Sequence, residues 1–244
     1  MGTVTAKTIL DKATIQLIDL TNIRWTRAEL LSWLNDGMRQ IVLIQPSASS
    51  TTDVIALQAG TRQYIPADGW LLLNIYRNMG TNGTTPGRAI RIISREIIDN
   101  FNPNWHTATA TAEVRNYMYS NQDQLAFYVY PPNTGTQQIE INYSAQPTDL
   151  TSETQVIPIF DVFQSALVDY ILYRACSKDA EYAPGVQLAQ TYMATFVAAV
   201  QGKTQSEITN DPSQALNPPN PATRDRKSTR LNSSHEWISR MPSS

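Results

Sequence analysis

Two residues of the chain could together perform nucleophilic catalysis. Cys176 is the single cysteine, and His106 is the one histidine before residue 226. An imidazole can activate a thiol for attack on a carbonyl carbon, and residues far apart in sequence can meet in a fold. However, Cys176 lies in the run YILYRACSKDAEY, where a small buried hydrophobic residue is expected, and His106 lies in a predicted loop. We therefore do not predict a catalytic dyad here.

Carboxylates offer a second chemistry, the hydrolysis of glycosidic bonds, which needs two carboxyl groups held at a set separation across the bond. The candidates are Asp99, Asp123, Asp161 and Asp169. With 21 acidic residues, the chain supplies such pairs by composition alone. Such residues usually cap helices or lie on surfaces that face solvent. We therefore predict no catalytic residue among them.

The sequence also lacks the patterns that bind metals, cofactors or membranes. One cysteine and one credible histidine cannot form a zinc cluster. There is no P-loop, no G-x-G-x-x-G after a strand, no H-E-x-x-H and no G-x-S-x-G. No apolar run approaches the length that spans a bilayer. We predict no catalytic, cofactor-binding or metal-binding residues and no membrane partner.

The end of the chain requires separate treatment. Residues 226–244, RKSTRLNSSHEWISRMPSS, resemble a translated sequencing adapter and are excluded from the reasoning about fold. Without their four basic residues and one acidic residue, the net charge of −2 becomes −5 over residues 1–225. If this segment replaces native sequence, the native C-terminus is truncated. An acidic chain with scattered cations disfavours DNA binding through a basic face.

Two surface patterns each have two interpretations. Arg77, Arg88, Arg91 and Arg95 form the one local concentration of basic residues. The favoured interpretation is that these arginines are charges beside strands that keep the protein soluble. The alternative is that they contact a partner. The aromatic residues Phe127, Tyr128 and Tyr130 could form a carbohydrate-binding or subunit surface, although strand alternation places half of such residues in the core.

Apolar periodicity divides the chain into helices, strands and helices again. We predict N-terminal bundle helices in 1–52, a β-rich insertion in 53–150, C-terminal bundle helices in 151–202, a flexible arm in 203–225 and an artefactual tail in 226–244. The predicted fold class is α+β: an antiparallel helical bundle with a small inserted antiparallel β-sheet and an extended C-terminal arm.

Several local signals refine this outline. The first helix is predicted over 4–19, with Leu17 and Leu20 on its apolar stripe. The second starts at Thr26, which forms a T-x-x-E capping box with Glu29. DVIAL and RQYIP predict one hairpin, and LAFYVYP and QQIEINY predict another. SREIIDNF predicts a short helix with Ile97, Ile98 and Phe101 facing inward.

Five segments in order give the chain a resemblance to a known family. They are IRWTRAELLSWLNDGMRQIVLIQPSA, LQAGTRQYIPADGWLLLNIYRNMG, IIDNFNPNWH, FYVYPPNTGTQQIEINYSAQPTDL and YILYRACSKDAEYAPGVQLAQTYMATFVAAVQGK. Together they cover most of residues 6–203 and resemble the phage head-to-tail adaptors that join the portal to the tail in short-tailed phages. Adaptors of this kind pair a helical bundle with a small β insertion.

The resemblance implies a structural role in the virion, at the head-tail junction, for a protein made in the cytoplasm of a bacterial host. Copies would form a homo-oligomeric ring, commonly of twelve, below the portal protein. The ring would extend the DNA channel, let DNA pass without specific binding and contact a tail nozzle or tail tube protein. Docking on the portal would fall to residues 203–225. The competing functions are a virion-associated hydrolase of cell-wall glycans and a tail glycan-binding module.

Overall fold

The long second helix begins at the residue that its capping signal predicts. The computed structural model describes residues 3–120, 122–179 and 183–209. Thr26 is the N-cap of α2, Arg27–Ile44, and its hydroxyl accepts the Glu29 amide at 3.4 Å. The Glu29 carboxylate pairs with Lys178 near the end of a later helix. The capping residue therefore fixes the start of α2, while its acidic neighbour ties α2 to another element.

Four helices build the first core. Besides α2 these are α1 (Ala6–Gln16), α4 (Gln164–Lys178) and α5 (Ala183–Thr209). Leu34 of α2, Ile171 of α4 and Phe196 of α5 are fully buried in one cluster. Trp25 and Trp33 belong to the same cluster, with ring centroids 5.8 Å apart. Residues separated by three or four positions on each helix supply this core, as their periodicity predicts.

Seven strands in the described residues form two sheets rather than one. They are β1 (Ser50–Ala56), β2 (Gly60–Tyr64), β3 (Gly69–Asn78), β4 (Arg91–Ile92), β5 (Asn116–Ser120), β6 (Asp123–Asn133) and β7 (Gln138–Ala145). One sheet has the order β1-β7-β3 and the other β2-β6-β5-β4, with β4 and β5 the one parallel pair among these strands.

The two sheets share a second core. Ile139 and Ile141 of β7 lie in the same buried cluster as Phe127 and Val129 of β6. Alternate residues of a strand point to opposite faces, so each sheet turns one face toward this cluster. The prediction of a helical bundle with one small inserted sheet is therefore wrong: the protein is α+β, with five helices in the described residues and 26% strand in two sheets.

Both predicted hairpins are also wrong, because the strands that flank each turn belong to different sheets. β1 pairs with β7 and β2 with β6, although β1 and β2 are adjacent in sequence. At the first turn, the buried Gln63 amide accepts the Gln58 N–H at 2.7 Å and donates to the Gln58 carbonyl at 2.8 Å. At the second, Asn133 Oδ1 accepts the Gly135 N–H at 2.7 Å. These side chains satisfy backbone groups that a hairpin ladder would pair.

Two further predictions concern the exposed ends of helices. α3, Arg95–Phe101, forms where predicted, and Ile98 is buried, but Ile97 and Phe101 face outward and Phe101 is 82% exposed. α1 ends at Gln16 instead of residue 19, so Leu20 lies in an exposed turn. In both places the helical pattern includes apolar side chains that the protein's own core does not cover.

The last helix extends beyond the predicted start of the arm. α5 begins at Ala183, with Pro184 in its first turn, where a missing backbone N–H costs no helical hydrogen bond. It continues through Thr209, so residues 203–209 are helical. The rest of the predicted arm, 210–225, and the tail 226–244 lie outside the described residues.

Candidate functional site

The two candidate residues for thiol chemistry have separate surroundings. His106 Nδ1 lies 2.9 Å from the Thr61 hydroxyl, and its ring stacks on Trp105 with centroids 3.6 Å apart. Cys176 lies on α4 in the helical part of the protein, and burial raises the pKa of its thiol. A raised pKa reduces the thiolate population that a nucleophile needs. The structure does not bring the two residues together.

Three of the four candidate carboxylates are bound to donors of the fold. Asp99 accepts the Trp105 indole N–H at 2.7 Å, and Asp123 pairs with Arg62 at 2.9 Å. Asp161 accepts the Thr3 and Val4 amides, and the Thr3 amide is the main cause of its lowered pKa. Asp169, on α4, has a raised pKa because it is partly buried. The structure thus gives each carboxylate its own environment rather than a shared groove.

The three aromatic residues of this strand differ in exposure: Phe127 is buried, and Tyr128 and Tyr130 are half-buried. Phe127 is fully buried in the core between the sheets. Tyr128 lies on the outer face under Trp105, with ring centroids 6.0 Å apart, and under the Arg95 guanidinium at 5.3 Å. Stacked sugars need an accessible aromatic face, and these contacts cover part of the Tyr128 ring, which is half-buried.

Metal and membrane sites receive no support from the described residues. Within them, no group of three or more His, Cys, Asp or Glu side chains could hold a metal ion. None of the helices in that part of the chain has the length and hydrophobicity required to span a bilayer. That the chain has no catalytic, cofactor-binding or metal-binding residues stays a prediction.

The turn between α1 and α2 displays large aliphatic side chains to solvent. Its exposed members, which we call the apolar turn, are Ile15, Ile18, Leu20 and Ile23. Ile18 is 89% exposed and Ile23 82%. Single exposed aliphatic residues are ordinary on protein surfaces, but several on one turn are typical of a contact with another protein.

The apolar turn is held in a defined conformation. Ile18 and Asn22 have positive φ angles of 56° and 52°. A left-handed conformation costs a β-branched residue about 1–2 kcal/mol, so other contacts must maintain it. The Asp19 carboxylate supplies them by accepting the backbone N–H groups of Ile23, Arg24 and Trp25 at 3.1, 2.9 and 2.9 Å. The exposed side chains are therefore presented on an ordered backbone.

An ion-pair cluster fixes the base of the same turn. The Arg27 guanidinium bonds Glu153 at 2.6 Å and Asp11 at 2.8 Å, joining the start of α2 to α1 and to the segment before α4. The Glu153 hydrogen bond is the main cause of the raised pKa of Arg27. The pKa of Glu153 is lowered in turn, mainly by Arg27. These pairs connect three segments that converge below the apolar turn.

Asp19→Asn is expected to lower the thermal stability of the protein at neutral pH and to make that stability less dependent on pH in the acid range. The hydrogen bond from Trp25, and those from Ile23 and Arg24, lower the pKa of Asp19 below its ordinary value of 3.8. A lowered folded pKa contributes stability that is complete above the unfolded pKa and is lost as pH falls through the folded pKa. The Tm difference between wild type and Asp19→Asn should therefore shrink between neutral pH and about pH 2.

Thermal unfolding followed by circular dichroism over this pH range checks the prediction. Glu113→Gln, at an exposed loop position, is the matched control. A Tm difference for Asp19→Asn that stays constant down to the acid limit would show that the carboxylate charge does not hold the turn.

A second apolar surface lies along α4 and α5. A groove of about 560 Å³ is lined by Tyr173, Met193, Ala194, Val197 and Ala198, with Gln190 and Gln201 at its margins. Met193 and Val197 of α5 line this groove and are half-buried. The helical core therefore covers only part of the apolar surface of α5.

The four arginines of the basic concentration divide into two pairs. Arg77 bonds Glu140 at 3.3 Å, and Arg95 bonds Asp99 at 3.4 Å, so these two act as charges paired on the protein's own surface. Arg88 and Arg91 instead meet Arg115 around a small pocket. The sequence gives no local sign of this meeting, because Arg115 reaches the pocket through the long-range pairing of β4 with β5.

These features are typical of a structural protein that works by contact with other proteins: an ordered apolar turn, an apolar groove and a basic pocket on an α+β fold. The model of the SU10 adaptor protein family matches residues 4–221, and the chain belongs to this family of phage adaptor proteins. The resemblance to phage head-to-tail adaptors is thus confirmed, and the protein is a structural component of the virion. No curated protein matches the chain.

The family match extends into the predicted C-terminal arm. It includes residues 210–221, so most of the predicted arm shares the family pattern. Residues 222–244 lie outside the match. The family is one of structural adaptors. The contact surfaces of the protein are therefore the features to test.

Proposed function

We propose that this protein is the head-to-tail adaptor that joins the portal to the tail, and that twelve copies form a ring below the portal. The family match over residues 4–221 carries this proposal. In such a ring each copy contacts two neighbours, the portal above and a tail nozzle or tail tube protein below. A subunit with so many neighbours needs several distinct contact surfaces on one fold.

The exposed surfaces of the described residues support an assembled state. A protein that works alone rarely displays several large aliphatic side chains on one ordered turn. Here Ile18 and Ile23 are displayed in this way. A closed ring uses two different surfaces of each copy, since every contact is head-to-tail. The apolar turn and the α4–α5 groove are two separate apolar surfaces, which such an arrangement can use.

The acidic balance of residues 1–225 supports the passage of DNA without specific binding. A channel wall rich in lysine would bind phosphates and retain DNA, since each neutralised phosphate adds affinity through counterion release. The chain has a net charge of −5 over these residues, and no lysine occurs between Lys12 and Lys178. We assign docking on the portal to residues 203–225, as the resemblance implies.

The alternative functions gain no comparable support. A glycan hydrolase would need two of the candidate carboxylates across one groove, whereas Asp99, Asp123 and Asp161 are each bound to donors elsewhere in the fold. A glycan-binding module would need an open aromatic face, and the half-buried Tyr128 ring contacts Trp105 and Arg95 instead.

Light scattering on a size-exclusion column tests the proposal. The full chain and residues 1–225 are each run alone and after mixing with the portal protein of the same phage. We expect both to co-elute with the portal at a fixed ratio of one adaptor per portal subunit, and a version ending at residue 202 to lose this binding. A chain with its complete native arm that never co-elutes with the portal would contradict the proposal.

A further inference from the structure

Three arginines converge on one side of the β-sandwich. A cavity of about 320 Å³ is lined by Arg88, Arg91 and Arg115, with Ala89 and Asn116. All three arginine side chains are exposed at its mouth. We call this site the arginine pocket. Three cationic side chains that line one cavity give it a positive local charge, which an anion would neutralise.

The backbone that carries the arginine pocket is rigidly tied. Asn78 is fully buried, and its Nδ2 donates to the Arg88 carbonyl at 2.9 Å and to the Val114 carbonyl at 2.8 Å. Asn78 Oδ1 accepts the Val114 N–H at 3.0 Å. One side chain thus joins the segment before β4 to the segment before β5.

A second set of bonds joins the two segments directly. The Arg91 N–H donates to the Arg115 carbonyl at 3.2 Å, and Asn116 Nδ2 donates to the Arg91 carbonyl at 3.4 Å. The arginine side chains take no part in these bonds. The fold therefore fixes the backbone positions of the three arginines by bonds that do not depend on their charge.

The pocket's arginines differ from most others in having no acidic partner. In the described residues, ion pairs are formed by Arg24, Arg27, Arg39, Arg62, Arg77, Arg95 and Arg174. In the same part of the chain, none is formed by Arg88, Arg91 or Arg115. An acidic protein that leaves three cations unpaired at one point has a local charge opposite to that of the rest of its surface.

The chemistry of the arginine pocket selects an oxyanion. A guanidinium presents its N–H groups in a planar fork that matches the two oxygens of a carboxylate or phosphate. The charge balance favours a carboxylate from a protein, because an acidic chain repels the DNA backbone at long range while offering carboxylates to its own copies. Asp53, Glu96 and Glu113 are exposed carboxylates that form no ion pair within the described residues.

We propose that the arginine pocket binds carboxylate side chains of a second copy of this chain, and so forms one half of the contact between neighbours in the ring. This inference rests on the proposed ring. It assigns one of the two unlike surfaces that a head-to-tail contact requires, the arginine pocket, and gives it exposed carboxylates of the next copy as its partner. Charge complementarity then sets the order of the copies and excludes pocket-to-pocket contact.

A charge-reversal variant tests the inference. Arg88→Glu/Arg91→Glu/Arg115→Glu is compared with Arg62→Glu, which alters an exposed arginine on β2 of the same sheet. Each is titrated onto the portal, and the adaptor copies per portal are counted by native mass spectrometry. We expect the triple variant to need at least about tenfold more protein to complete the ring, and Arg62→Glu to assemble as wild type does.

Cross-linking gives an independent test that keeps the charge of the pocket. In Arg115→Lys, a carbodiimide can join the introduced amine to a carboxylate in direct contact. Rings are made from isotope-labelled and unlabelled copies, so that a link between two copies carries one label. We expect mixed-label peptides that join the introduced lysine to an Asp or Glu of another copy.

The outcomes separate this inference from the proposed function. If wild type and the triple variant form rings at the same protein concentration, the arginine pocket is not a contact between copies. If assembly is unchanged but the triple variant loses binding of duplex DNA that the wild-type ring shows, the pocket is a phosphate contact and the inference is overturned. If wild type forms no ring at all, the proposed function fails and the inference fails with it.

Discussion

Asn78→Ala is expected to lower the free energy of unfolding by about 3 kcal/mol, since it removes two buried hydrogen bonds and one partly buried hydrogen bond at once. The side chain is fully buried and serves the Arg88 carbonyl and both backbone groups of Val114. Alanine leaves both backbone groups of Val114 without this partner, while the Arg88 carbonyl keeps the backbone N–H of residue 78. A buried unsatisfied backbone group costs about 1–3 kcal/mol. The cavity left by the amide adds to the loss.

Urea unfolding followed by tryptophan fluorescence measures this effect. Asn100→Ala, at an exposed position of α3, is the matched control and should change stability by no more than about 0.5 kcal/mol. Because Asn78 also holds the two segments of the arginine pocket, Asn78→Ala should weaken ring assembly at temperatures where the protein remains folded. A loss below about 1 kcal/mol would show that water or a backbone shift replaces the amide.

Gly37→Val is expected to destabilise the helical core by about 3 kcal/mol, through overpacking between α2 and α4. A Cβ at Gly37 would lie 2.9 Å from Tyr170 Cδ1 and 3.3 Å from Leu167 Cδ2. The Tyr170 ring cannot move freely, since it is buried and packs against Phe196 with centroids 5.2 Å apart. Any side chain at Gly37 therefore separates two helices or displaces a buried ring.

A pair of alanine substitutions isolates this steric effect from helix propensity. Alanine in a helix is favoured over glycine by about 1 kcal/mol. At Gly202 of α5 an added Cβ meets nothing within 4 Å, so Gly202→Ala should be neutral or stabilising. Gly37→Ala should instead be destabilising in chemical denaturation. Equal effects of the two substitutions would contradict close packing of α2 against α4.

The elements were more predictable from the sequence than their pairing. Helix α2 starts at Thr26 because a capping box is a local signal, read within four residues. The strands of the two predicted hairpins were also found, since alternation is local, whereas β5 (Asn116–Ser120) was not predicted. The partners of the hairpin strands were not found, because a turn signal shows that the chain reverses but not which sheet it enters next. Gln63 and Asn133 satisfy the backbone at the two turns with their side chains, and either residue would be ordinary in a hairpin.

The contact surfaces were harder to predict for a related reason. The apolar periodicity places Leu20 and Phe101 on buried faces, as it would for any amphipathic helix. Both are exposed in the described structure, and a sequence pattern cannot distinguish residues covered by their own core from residues covered by another protein. The basic concentration was visible, but its division into paired and unpaired arginines depends on Arg115, which reaches Arg91 only through the β4–β5 pairing.

Electron cryo-microscopy of the protein mixed with the portal of its own phage tests the central claim most directly. The account predicts a closed ring of twelve copies on one end of the portal, with its central opening continuous with the portal channel and the arginine pocket of each copy against its neighbour. Copies bound separately on the outside of the portal, or a portal without added density, would contradict it.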